Sequence, residues 1–310
     1  MNKQIDKIKN FDAIIYHGPC FDGTSGLWCA CYYKSIKNRF ACKAGINPIG
    51  DYTGMNVLFV DICPKLDYLL DLVKKAKFVV ILDHHKSSQQ MIIDNELLLL
   101  SVQNLYIEFD MKRSGCQITW DYFFDSKPRP FFIDYIADRD LWTWLLPSSK
   151  QINTALYELN YIDSYNLDKL TDLLVNSDEK IEYLINVGNI IEIGIKKQID
   201  ICSNNAIEAK MIYKNKTFKI WLAGNINPGL KSEIGNVLCS KSFKDGTLPD
   251  FSAIWQFEPK TNEWWISLRG IKPNSPDLSL ISTSFGGGGH PLASGLSIKS
   301  IKGLKEIFIY

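Results

Sequence analysis

The stretch Phe78-Val79-Val80-Ile81-Leu82-Asp83-His84-His85-Lys86 decides how this chain is read. An unbroken apolar run, with no polar alternation, suits a strand buried on both faces, as in a parallel sheet. The run then breaks into a carboxylate followed by two adjacent imidazoles. Polar groups directly behind a buried strand are costly unless they are paired or coordinated. One short segment therefore points to a fold class and to a site.

The same rhythm recurs on either side. Phe11 to Tyr16 runs into His17-Gly18-Pro19-Cys20-Phe21-Asp22-Gly23-Thr24-Ser25, and Met55 to Val60 runs into Asp61. Phe131 to Ala137 runs into Asp138-Arg139-Asp140, and its periodicity leaves strand and helix both open. Short apolar runs ending in polar clusters and followed by helix-like segments predict βαβ units. In open α/β sheets ligands bind beyond the carboxyl ends of the strands, so the clusters are expected to converge on one crevice.

Beyond Pro147 the texture turns helical, with Ile181, Leu184, Ile185, Ile191, Ile195 and Ile199 spaced largely by three and four. From Ala206 it changes again. A hairpin is expected over Ala209 to Leu222, turning at Lys214-Asn215, and a second pair of strands over Phe251 to Phe257 and Glu263 to Leu268. The chain is thus expected to be α/β: a parallel-sheet domain at 1–146, a helical connector at 147–205 and a smaller α+β domain at 206–310.

Composition bounds the function. With 310 residues, 46% hydrophobic and 22% charged, the chain is long enough for two cores and too apolar for disorder. No apolar run reaches the roughly 18 residues of a bilayer span, and the first residues lack the pattern of an export signal, so a cytoplasmic location is expected. The net charge of +1 argues against a surface for long nucleic acid, which shows as a basic stripe. Eight scattered cysteines without a C-x-x-C pair are expected to be reduced packing residues. All four histidines, His17, His84, His85 and His290, stand beside aspartates or glycines.

His17, Asp22, Asp61, Asp83, His84, His85, Asp138 and Asp140 form a mixed imidazole and carboxylate set, which suits two divalent ions and favours Mn²⁺ over Ca²⁺. Asp61, alone at a strand end, is the natural residue to bridge two ions. Other readings stand beside this one. His17 suits a capping or core role as well as a ligand, Asp22 with Thr24 and Ser25 suits a helix start, and Asp61 before Pro64 suits an N-cap.

Taken in order, His17-Gly-Pro-Cys-Phe-Asp22-Gly, Asp61, Asp83-His84-His85 and Asp138 resemble the four motifs of the DHH phosphoesterase superfamily. Trp265-Ile-Ser267-Leu-Arg269-Gly, then Asp277, then Phe285-Gly-Gly-Gly-Gly-His290-Pro-Leu-Ala-Ser-Gly295 look like its associated C-terminal substrate-binding domain. The resemblance covers nearly the whole chain and is greatest to the oligoribonuclease or cyclic-nucleotide-phosphodiesterase-like branch. It implies that His17 and Asp61 hold a first ion and that Asp22, Asp61, His84 and Asp138 hold a second. Asp83 would orient an imidazole, and His85 would face the scissile phosphate. Arg269, Gly287, Gly288, Gly289 and His290 would grip the substrate. The ions would be Mn²⁺, with Mg²⁺ or Co²⁺ as substitutes. Many members carry a second aspartate where this chain has Cys20, a poor ligand for Mn²⁺ and a better one for softer metals.

The expected activity is two-metal hydrolysis of short oligonucleotides or linear dinucleotides to mononucleotides. Two alternatives accompany it: a phosphatase on pyrophosphate, polyphosphate or a 3′-phosphorylated mononucleotide, and a nucleotide-binding protein without turnover. Trp221, Trp255, Trp264 and Trp265 suit either base stacking or a core. A homodimer is compatible with all of these.

Overall fold

The structure is a computed structural model in which residues 7–125, 127–224 and 227–310 are described. Apart from Lys7, the N-terminal stretch read for an export signal lies outside the described residues. The chain divides into two compact units, Met1–Glu192 and Ile193–Tyr310.

The first unit is built on strands β1 (Ala13–His17), β2 (Asn38–Cys42), β3 (Asn56–Val60), β4 (Phe78–Asp83) and β5 (Leu105–Phe109). They form one five-stranded sheet in the order β2-β1-β3-β4-β5, and every pairing is parallel. Helices α1 (Phe21–Tyr33), α2 (Leu66–Lys75), α3 (Lys86–Asp94), α4 (Glu96–Leu100), α5 (Gly115–Phe124), α6 (Phe131–Asp140), α7 (Ser149–Glu158) and α8 (Asp168–Asp172) follow the strands, and α9 (Ser177–Asn204) runs across the division between units.

Alternation along the strands feeds two cores, because successive side chains point to opposite faces. Ile14, Tyr16, Leu58, Val60, Val80 and Leu82 pack with Leu27, Trp28, Ile118, Trp120, Phe132 and Ile133 of α1, α5 and α6. Ala13, Ile15, Val57, Phe59, Val79 and Ile81 pack on the other side with Leu69, Leu72, Ile92 and Leu99. Each fully buried Val, Leu or Ile contributes about 1.5–3 kcal/mol relative to exposure, so a central strand such as β4 is held on both faces.

The open stretch Phe131–Ala137 is helical. Phe132, Ile133, Ile136 and Ala137 are its buried residues, the one-sided spacing of an amphipathic helix. Strands β2 and β5 carry no continuous apolar run: β2 is exposed at four of its five positions, and only Leu105 of β5 is fully buried. Both lie at the edges of the sheet, where one side of the ladder faces no neighbour.

The second unit holds β6 (Ile207–Tyr213), β7 (Lys216–Gly224), α10 (Lys231–Cys239), β8 (Phe251–Glu258), β9 (Glu263–Arg269), α11 (Leu278–Ser284), β10 (Gly288–His290), β11 (Ala293–Ile298), α12 (Ile301–Ile307) and β12 (Phe308–Ile309). Its sheet runs β10-β11-β9-β8-β7-β6-β12, with β7 and β8 parallel and the other pairs antiparallel. Both expected strand pairs are present. Trp221, Trp255 and Trp264 pack in or against its apolar clusters. No described helix is long and apolar enough to cross a membrane.

Candidate metal centre

Strand order places the site. The sheet reverses direction of growth at β1 and β3, and that is where an open α/β sheet leaves a crevice beyond its carboxyl ends. His17 is the last residue of β1, Asp61 follows β3 directly, and Asp83 ends β4 with His84 and His85 behind it. Asp61 is not an N-cap: its φ of 57° is left-handed, and Lys65 is the residue that precedes α2. A non-glycine residue held there stores about 1–3 kcal/mol of strain, which persists only where its surroundings impose it.

Asp61 stands between the imidazoles. Its Oδ2 lies 3.2 Å from His17 Nδ1, and its Oδ1 lies 3.2 Å from His84 Nε2 and 3.8 Å from His85 Nδ1. Oδ1 is buried and meets no donor in hydrogen-bond alignment. His84 Nε2 also lies 3.5 Å from Asp22 Oδ2 and 3.3 Å from Asp140 Oδ2. Asp83 orients the histidine pair from below. Its Oδ1 accepts the backbone N–H of His84 at 2.8 Å and of His85 at 3.3 Å, and pairs with His85 Nδ1 at 2.7 Å.

Asp22, fully buried, does two things at once. Besides facing His84, it accepts the N–H groups of Gly115 at 2.5 Å and Cys116 at 2.8 Å, the first two residues of α5. It caps the helix across the site rather than its own, and the positive end of α5 favours its charge. Close approach explains two glycines: a Cβ on Gly115 would lie 2.5 Å from Asp61 Cβ, and one on Gly23 would lie 2.1 Å from the His17 carbonyl oxygen. The start of α5 was not among the expected site residues. Its signal was Ser114-Gly115-Cys116-Gln117, a capping box that the structure forms.

Electrostatics follow from burial and crowding. Burial would raise the Asp61 carboxyl, but contacts with His17 and His84 and the charges of His17 and His85 hold it well below the usual carboxylate range. Burial, with Asp61 and Asp140 nearby, pushes Asp22 up to about 7. Burial acts against charge on His84, yet Asp61, Asp140 and Asp22 raise it well above an ordinary histidine. His17 and His85 are raised too, against their burial, by Asp61 and by Asp83 respectively. Carboxylates this crowded need positive charge among them, supplied by protons or by a cation.

The donor set fits a cation. His17, Asp61 and His85 form one group and Asp22, Asp61 and His84 another, and within each the ligand atoms lie within 4.8 Å of one another. Asp61 is common to both. Imidazole nitrogen with carboxylate oxygen suits a divalent transition metal.

Asp138, an expected ligand, and Cys20, a doubtful one, lie outside both donor groups. Asp138 is buried, but its carboxylate accepts Thr143 Oγ1 at 2.5 Å, Leu145 N–H at 2.8 Å and Leu146 N–H at 3.1 Å. The α6 carboxylate that faces His84 is Asp140. Cys20 precedes α1 and belongs to neither donor group. Burial, then the charges of Asp61, Asp140 and Asp22, push its thiol well up, so it is held protonated.

In the second unit, the glycine run is not an open loop. Gly288–His290 is an edge strand paired with Ala293–Gly295, and a Cβ on Gly287 would lie 2.0 Å from the Gly295 carbonyl oxygen. The Arg269 guanidinium is pinned: Nη2 donates to Ser232 Oγ at 2.9 Å and Nη1 to the Leu268 carbonyl at 2.8 Å. Burial lowers its pKa to about 10.

No family model matches the chain. Among solved structures, an uncharacterized Helicobacter pylori protein shares 14% identity over 95% of this chain and 98% of its own, with a TM-score of 0.38. A pGpG-specific phosphodiesterase of Vibrio cholerae shares 14% over 95% of each chain, with a TM-score of 0.43. A curated protein is nearer in sequence: an uncharacterized protein of Acanthamoeba polyphaga mimivirus is 30% identical over 94% of this chain and 68% of its own length. This chain belongs to the same family as that mimivirus protein.

Proposed function

We propose that this chain is a metal-dependent phosphoesterase of the DHH type, hydrolysing short oligonucleotides or linear dinucleotides to mononucleotides with two Mn²⁺ ions. The supporting observation is the Asp61 carboxylate, buried, shared by two groups of ligand atoms and kept ionised by the imidazoles around it. When bound, the ions supply Lewis-acid activation of a water and neutralise charge on the phosphoryl group.

The chain's own residues do the rest. His17, Asp61 and His85 would hold one ion and Asp22, Asp61 and His84 the other, with Asp140 beside them. Asp83 holds the His85 ring through Nδ1, which leaves Nε2 as the nitrogen that would meet the ion. In the second unit Arg269, Gly287, Gly288, Gly289 and His290 are assigned to substrate contact, as backbone and guanidinium donors for phosphate oxygens.

The test is turnover by Mn²⁺-loaded protein of linear dinucleotides, di- to pentanucleotides and inorganic pyrophosphate in parallel. Mononucleotide release from the first two, with pyrophosphate left intact, is the expected result. Pyrophosphate cleavage alone would move the reading to a phosphatase. Nucleotide binding without turnover, at an affinity indifferent to Asp61→Ala, would make the chain a binding protein.

A further inference from the structure

Neither the core nor the metal centre uses the indoles that follow Asp140. Trp142 and Trp144 both have left-handed backbones, with φ of 57° and 52°. Bulky residues rarely adopt that conformation, and it persists only where surrounding contacts impose it. Asp138 supplies those contacts: its carboxylate takes Thr143, Leu145 and Leu146, and its carbonyl accepts the N–H groups of Thr143 at 3.0 Å and Trp144 at 3.4 Å.

The two rings lie 5.0 Å apart, edge to face, and both residues are only partly buried. Neither belongs to the apolar clusters of the first unit, although tryptophan is on average a highly buried residue. The Lys150 ammonium sits 5.5 Å from the Trp144 ring centre. Trp142 is two residues beyond Asp140, so their Cα atoms are at most about 7.6 Å apart. Asp140 Oδ2 in turn lies 3.3 Å from His84 Nε2.

We propose that Trp142 and Trp144 form an aromatic platform on which a nucleobase of the substrate stacks beside the metal centre. A buried carboxylate pre-orders the loop, so stacking does not have to order it. Two indoles set edge to face, with an ammonium over the Trp144 ring, suit an aromatic ring that carries an anion, and every base offers such a face. The inference rests on the phosphoesterase reading and deepens it: the base, as well as the phosphate, becomes a recognised part of the substrate.

The experiment compares AMP with ribose 5-phosphate, which differ only in the base, by calorimetry on the Mn²⁺-loaded full chain. Wild type is expected to prefer AMP by roughly 5- to 140-fold, the equivalent of about 1–3 kcal/mol of stacking. Trp142→Leu and Trp144→Leu keep apolar bulk but remove the π-face. They are expected to lose most of that preference while binding of ribose 5-phosphate and Mn²⁺ is unchanged; Trp142→Phe and Trp144→Phe are expected to keep most of it. A merely structural role would weaken both ligands equally and leave the ratio intact, which overturns the proposal. Ribose 5-phosphate binding in wild type with no preference for AMP sinks the platform alone. Failure of both ligands to bind, with Mn²⁺ in place, sinks the phosphoesterase reading as well.

Discussion

Asp61 leaves β3 with a left-handed backbone and a buried carboxylate, two costs that only its neighbours offset. Replacing it by asparagine keeps the shape and removes the charge. Asp61→Asn is expected to abolish Mn²⁺ uptake at both positions, read as a loss of the calorimetric binding isotherm, and to reduce turnover to background. Proton competition gives a second expectation. Asp22 is pushed up to about 7 and His84 is raised well above its ordinary value, so below neutrality both hold protons that a cation must displace. Mn²⁺ affinity is expected to fall as pH drops from 8 to 6, with protons released on binding; titrations in buffers of different ionisation enthalpy measure both. At this scale much was legible, because Asp83, His84 and His85 stand where a buried apolar run makes polar groups costly. Choosing between Asp138 and Asp140 was not. The resemblance pointed to Asp138, but on a helix residues two apart are about 200° apart, and it is Asp140 that faces His84.

That helix shows how an element divides its carboxylates between architecture and chemistry. Asp138 ties down the loop after α6, while Asp140 faces His84. Asp138→Ala leaves buried backbone donors unpaired and is expected to cost about 1–3 kcal/mol of stability in denaturant unfolding while Mn²⁺ uptake is retained. Asp140→Ala is expected to do the reverse, weakening Mn²⁺ binding with little change in the unfolding midpoint. The same tension runs through α5, whose N-terminus is capped by Asp22 and whose Gly115 lets it approach Asp61. Elements with a single environment were readable: β1, β3 and β4 are continuous apolar runs, and the β6–β7 and β8–β9 pairs turn where their sequences say. Strands β2 and β5 were not, since edge strands owe their place to a neighbour's ladder more than to their own apolarity. The glycine run pairs with β11 as an edge strand, where tight packing calls for glycine as strongly as a close approach to phosphate does.

Across the whole molecule, the charge balance favours the short substrate proposed above over a long strand. The net charge is +1, and every ligand atom of the two donor groups comes from the first unit. Binding of a dinucleotide with two phosphates is expected to weaken by less than about tenfold between 50 and 200 mM salt, as measured by equilibrium titration. A long single strand is expected to bind no more tightly than a short one. The claim on which everything else depends is that Asp61 serves two ions. Anomalous diffraction from crystals grown with Mn²⁺ tests it most directly. Two peaks are expected, one bonded by His17, Asp61 and His85 and the other by Asp22, Asp61 and His84, with Asp61 common to both. A single peak, or peaks bonded by Cys20 or Asp138 in place of Asp61, would contradict it.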